Sequence, residues 1–153
     1  MSEGPFELSL TRLIDAPVET VWQVWTQRLV EWWAQRPWTT QIIEQDLRAG
    51  GRSAMVMVGP NGETSPVEGV TLEVIQHQRI VFTDAFRVGW VPQPPFMTGI
   101  FSFAAEGDKT LYTAAARHWD EATMKQHEDM GFQAGWGQVA DQFKTLCEGG
   151  TLG

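Results

Sequence analysis

One cysteine and one tyrosine among 153 residues set the first limits on this chain. A lone thiol, Cys147, rules out an internal disulfide and leaves no thiolate pair at metal-ligand spacing. Basic residues are scarce as well: three lysines and eight arginines stand against 19 acidic residues, for a net charge of −8. They are dispersed and form no stripe for phosphates, which argues against nucleic acid and anionic membrane surfaces as partners. No apolar run approaches the roughly 20 residues of a membrane-crossing helix. The opening Met1-Ser2-Glu3-Gly4-Pro5 lacks the basic and apolar regions of a secretory leader, so a reducing cytoplasm is the expected compartment.

What the chain has in excess is indole. Eight tryptophans, against that single tyrosine, must either fill a core or line an apolar pocket. The length suits one domain, expected over residues 1–148 with a flexible tail at 149–153, and leaves no room for separate cofactor and substrate domains.

Periodicity divides the chain into elements. Phe6 to Ile14 reads as a strand, ended by Asp15-Ala16-Pro17. Asp15 or Ala16 is the expected cap of a helix with Pro17 at its first position, where a missing N–H does no harm. Val18, Val21, Trp22 and Trp25 recur at helical spacing, and a second short helix surrounds Leu29 to Trp33. Strands are then expected over Thr39–Leu47, Arg52–Val58, Val67–Ile75, Arg79–Phe86, Met97–Ala105 and Thr110–Trp119, with a proline-rich loop at Val88–Pro95. A long helix from Asp120 to Glu148 closes the chain, with Asp120 as its cap and Trp119 placed to staple against Met124.

Within that helix, Phe132, Trp136, Val139, Phe143 and Leu146 step by four, three, four and three, one stripe of an α-helix laid on a core. Glycines at 131, 135 and 137 interrupt it, each costing roughly 1 kcal/mol against alanine, so close packing or room for a ligand is expected there. The order predicts an α+β fold: a curved seven-stranded antiparallel sheet around the C-terminal helix, with a gap between them as the candidate pocket.

Ala16-Pro17, Val21-Trp22, Trp32-Trp33, Arg48-Ala49-Gly50-Gly51, Pro60-Asn61-Gly62, Glu73-Val74, Val81-Phe82, Thr110, Gly131-Phe132 and Gly135-Trp136 span nearly the whole chain. In that order they resemble the START and polyketide-cyclase (SRPBCC) superfamily, and within it the group similar to the C-terminal domain of the heat-shock-protein-ninety ATPase activator. The resemblance implies a helix-grip fold with a cavity between sheet and helix. It does not imply one reaction, since the group includes lipid carriers, cyclases and chaperone cofactors. The Val88–Pro95 stretch is longer and richer in proline than the family's connection, and is expected to shape the cavity mouth.

The expected function is binding of a small apolar or aromatic molecule, with Trp33, Phe86, Trp90, Met97, Phe101, Tyr112, Met130 and Trp136 as candidate lining. Trp22 and Phe143 read as plain core, and Arg87 and Arg117 as possible polar groups of the site or surface ion pairs. The alternatives are a cyclase- or hydratase-like enzyme on a polyketide-type substrate, with His118 or His127 moving a proton near neutral pH, and a chaperone co-regulator. No metal site and no cofactor are expected: His77, His118, His127 and Cys147 lack ligand spacing, and no phosphate loop follows a strand. A homodimer is compatible with the sequence.

Overall fold

The computed structural model describes residues 5–152. The residues behind the leader reading, Met1–Gly4, and the last residue of the expected tail, Gly153, lie outside the described residues. Strand β1 (Phe6–Ile14) leads into helices α1 (Val18–Gln27) and α2 (Leu29–Trp32). Strands β2 (Thr39–Gln45), β3 (Arg52–Val58), β4 (Thr64–Ile75) and β5 (Arg79–Thr83) follow, then a short ribbon of β6 (Phe86–Arg87) and β7 (Val91–Pro92). Strands β8 (Thr98–Glu106) and β9 (Lys109–His118) precede helices α3 (Glu121–Asp129) and α4 (Phe132–Cys147). Seven strands form one antiparallel sheet in the order β1-β9-β8-β5-β4-β3-β2. Register shifts between Ile42 and Glu44 and between Thr71 and Glu73 bend its second half, because an extra residue on one strand curves the ladder. The sheet grips the C-terminal helices in a helix-grip arrangement.

Period-two alternation fixes which side chains face inward. On β9, Thr110, Tyr112, Ala114, Ala116 and His118 are all buried, and on β8 Phe101 and Phe103 are. From the helices Val21, Trp25, Trp32, Phe132 and Phe143 meet them, with Phe143 0 % exposed and its ring 4.7 Å from Tyr112 and 4.4 Å from Trp32. Trp22 is also core, edge-on to Phe103.

Three expectations are corrected. The single C-terminal helix is two, because Gly131 takes φ +94°, a left-handed turn that glycine adopts without steric cost. Helix α1 begins at Val18 with Pro17 itself as cap, its carbonyl accepting from Thr20 N and Val21 N and no side chain capping. The proline-rich loop contains the β6–β7 ribbon. After α4, Gly149 N donates to Leu146 O and Gly150 N to Thr145 O, the two bonds of a Schellman stop, and Leu152 packs on the core. Asp120 caps α3 as expected, accepting from Thr123 N at 2.8 Å, whereas Trp119 is 68 % exposed.

Candidate functional site

A cavity of about 390 Å³ lies between α2, α4 and the inner face of β3, β4, β5, β8 and β9. Its volume is that of small-molecule sites. Helices α1 and α2 and the turn after them contribute Trp25, Trp32, Trp33 and Gln35; the sheet contributes Gln45, Ser53, Met55, Met57, Glu68, Phe82, Phe101 and Tyr112. Asp84, Phe96 and Met97 come from the segments around the ribbon, and Met130, Gly135, Trp136 and Val139 from the C-terminal helices.

The space exists for two reasons. Trp136 and Val139 belong to the apolar stripe of α4 yet are only partly buried, because they face the cavity while Phe132, Phe143 and Leu146 on the same stripe face filled core. At Gly135 a Cβ would meet only Gln35 Oε1, at 3.4 Å, so the missing side chain leaves room. Opposite, Gly99 is required: a Cβ there would sit 2.6 Å from the Phe82 ring, which lies on its backbone and stacks near-parallel to Phe101 at 5.8 Å and 8°. Phe101 in turn stacks near-parallel to Trp136 at 6.0 Å and 11°, and Trp33 packs edge-on to Phe82 and Trp25.

Most polar lining groups already have protein partners. Ser53 Oγ donates to Gln45 Oε1 at 3.0 Å, Gln35 Nε2 donates to Gln138 Oε1 at 2.8 Å, and the Thr83 and Thr98 hydroxyls are 3.0 Å apart. Glu68 is bound by Arg52 at 3.3 Å. Asp84 Oδ1 accepts from Phe96 N at 2.8 Å and Met97 N at 3.2 Å, and among the described residues Asp84 enters no ion pair. Tyr112 is 1 % exposed, and burial pushes its phenol well above the ordinary tyrosine range. The Trp25 indole N–H, on the same wall, has no hydrogen-bond partner among the described residues.

Of the eight expected lining residues, Trp33, Met97, Phe101, Tyr112 and Trp136 form the wall, and Met130 stands at its edge, 67 % exposed. Phe86 and Trp90 do not line it. They pair edge-on at 5.9 Å on the ribbon, and Trp90 covers Gly50, so the ribbon packs beside the cavity and only the segments flanking it, Asp84 before and Phe96-Met97 after, reach the wall. Arg117 pairs with Glu7 at 2.8 Å, Arg87 is exposed, and neither lines this cavity. Trp25, Trp32, Met55, Met57, Phe96, Glu68 and Asp84 escaped the sequence reading. Met55 and Met57 carried a usable signal, two methionines at period two on one strand.

His118 and His127 are brought together, but outside the cavity. His118 Nε2 and His127 Nδ1 are 2.9 Å apart, His118 Nδ1 is 2.9 Å from Phe6 O, and both residues are 6 % exposed. Phe96 and Trp136 contact the His127 ring and separate the pair from the cavity. Burial, reinforced by His118, holds His127 down at about 4. Burial, reinforced by Glu148, pushes the Cys147 thiol up to about 12, so it remains a buried neutral thiol. Among the described residues no helix is long and apolar enough to cross a membrane.

An antiparallel sheet closed over a C-terminal helix, with an aromatic cavity between them, defines a helix-grip protein of the START type. Residues 15–148 match the family described as activator of Hsp90 ATPase homolog 1-like protein, and the chain belongs to that family. A crystal structure of a protein from Nitrosomonas europaea is similar at 33 % identity and TM-score 0.85, over 95 % of this chain and 96 % of that one. A protein from Mycobacterium smegmatis shares the fold at 24 % identity and TM-score 0.77, covering 93 % of this chain and 90 % of that chain. So does an AHSA1 protein from Silicibacter pomeroyi, at 19 % identity and TM-score 0.67 over 88 % and 92 % of the two chains. No curated protein matches the sequence significantly.

Proposed function

We propose that this chain binds a small apolar or aromatic molecule in the cavity between its sheet and α4. The observation that carries the reading is the wall itself: about 390 Å³ bounded by indole, phenyl and thioether groups, with most of its polar neighbours already hydrogen-bonded to protein. Water in such a space finds few partners, so an apolar occupant is favoured over a water cluster. The wall also argues for binding rather than acid–base catalysis by histidine, since His118 and His127 are shielded by Phe96 and Trp136.

Tryptophan reports on the test directly. Titrating flat aromatic compounds of flavonoid or polyketide type should quench or shift indole emission, because Trp25, Trp32, Trp33 and Trp136 all border the cavity. Native mass spectrometry of the purified protein should show a co-purified small molecule or a one-to-one adduct with a titrated one. No response up to about millimolar ligand, where binding is worth only roughly 4 kcal/mol, would overturn the reading.

A further inference from the structure

Among the described residues, no lysine, arginine or histidine lines the cavity, while two carboxylates, Glu68 and Asp84, belong to it. Glu68 is neutralised by Arg52, which also approaches Glu44 at 3.6 Å. Asp84 is not: its Oδ1 is held by two backbone N–H groups, and no cationic side chain among the described residues pairs with it. One uncompensated carboxylate therefore stands at the wall of a chain whose net charge is already −8.

Aromatic faces carry negative quadrupole density, and Trp25, Trp33, Phe82, Phe96, Phe101 and Trp136 surround the space. A ligand anion here would meet aromatic rings and a carboxylate with no lysine, arginine or histidine in the described lining to replace its hydration, an unfavourable transfer. A ligand cation would meet cation–π attraction and an ion-pair partner together. Among the described residues the Trp25 indole N–H is a free but neutral donor, and Asp84 is the charged lining group without an ionic partner, which makes it the group able to pair with an incoming charge.

Resting on the cavity-binding reading above, we infer that the preferred ligand is a flat apolar organic cation, an aromatic ring bearing a protonated or quaternary amine, whose charge pairs with Asp84. Fatty acids and other carboxylates are selected against.

Three naphthalene probes of one shape, the naphthyl-methylammonium cation, naphthyl-methanol and naphthoate, are titrated into the full chain near neutral pH with indole emission or calorimetry as readout. The cation should bind at least roughly tenfold more tightly than naphthoate, with the alcohol between them. Asp84→Asn keeps an oxygen for the Phe96 and Met97 N–H groups, and should cut the cation's affinity by threefold or more and shrink its advantage over the alcohol. Equal or tighter binding of the alcohol or naphthoate by the wild-type chain overturns the inference and leaves the cavity reading standing. An Asp84→Asn chain that is folded by circular dichroism and retains the full cation preference also overturns it. If that variant does not fold, the wild-type ranking decides. Failure of all three probes to bind up to about millimolar overturns both readings at once.

Discussion

His118 Nε2 and His127 Nδ1 share a hydrogen bond of 2.9 Å, and the far nitrogen of His118 is held by the backbone of β1. Phe6 O, 2.9 Å from His118 Nδ1, can only accept, so that nitrogen carries hydrogen, and in the neutral tautomer His118 Nε2 accepts from His127 Nδ1–H. The bond sits where burial keeps the His127 ring neutral. It joins the end of β9 to α3 directly behind Phe96 and Trp136.

Acid should therefore loosen this end of the molecule. His127 titrates at about 4 when folded against an ordinary 6.5, so between those values the unfolded chain holds a proton that the folded chain does not. Stability is full above about 6.5 and falls as pH drops toward 4, by about 1–3 kcal/mol. Urea unfolding of the wild type and His127→Gln across this window checks it: the variant should show a shallower slope. Equal slopes would remove His127 from the account.

Gln142 on α4 should be more costly to lose than an ordinary buried glutamine. Its Nε2 donates to Trp32 O at 3.0 Å and Ala34 O at 2.8 Å, and its Oε1 accepts from Arg36 N at 3.0 Å. One side chain thus satisfies the chain leaving α2. Gln142→Leu strands these groups and should destabilise the fold by about 2–4 kcal/mol. Gln142→Glu, which keeps only the acceptor, should not rescue it. A loss under about 1 kcal/mol in chemical denaturation would contradict this.

Phe143→Ala removes a side chain that is 0 % exposed between Trp32 and Tyr112. The expected cost is about 3–5 kcal/mol, read as a lowered denaturation midpoint at unchanged slope.

Gly135 separates stability from binding. Gly135→Ala meets nothing closer than Gln35 Oε1 at 3.4 Å and should raise the melting temperature, since alanine is worth roughly 0.5–1 kcal/mol more than glycine in a helix. Gly135→Leu should fold but fill the cavity, weakening a probe at least roughly tenfold. Unchanged probe affinity in the folded leucine variant would place the ligand elsewhere.

The order of elements was legible because strands and helices write different periods, as in Tyr112-Ala114-Ala116 on β9 and Phe132-Trp136-Val139-Phe143 on α4. The stop at Gly131 was hidden by continuous helix-forming sequence on either side, since one backbone angle leaves no hydrophobic trace. The ribbon was masked by prolines, which allow short edge pairing while reading as loop. Half of the cavity wall followed from aromatic identity, but identity does not give facing: Phe86 and Trp90 are as aromatic as Phe101 and turn elsewhere. Asp84 left no sequence signal, because its place depends on how the chain returns from the ribbon to donate the Phe96 and Met97 N–H groups.

Cys147 gives the molecule a clock. It is the sole thiol, buried in the last turn of α4 and held neutral, so a thiol reagent must wait until that turn opens. The labelling rate of the unmodified chain therefore times the opening of the helix that bounds the cavity. Any compound that steadies α4 from within should slow that rate without touching the sulfur.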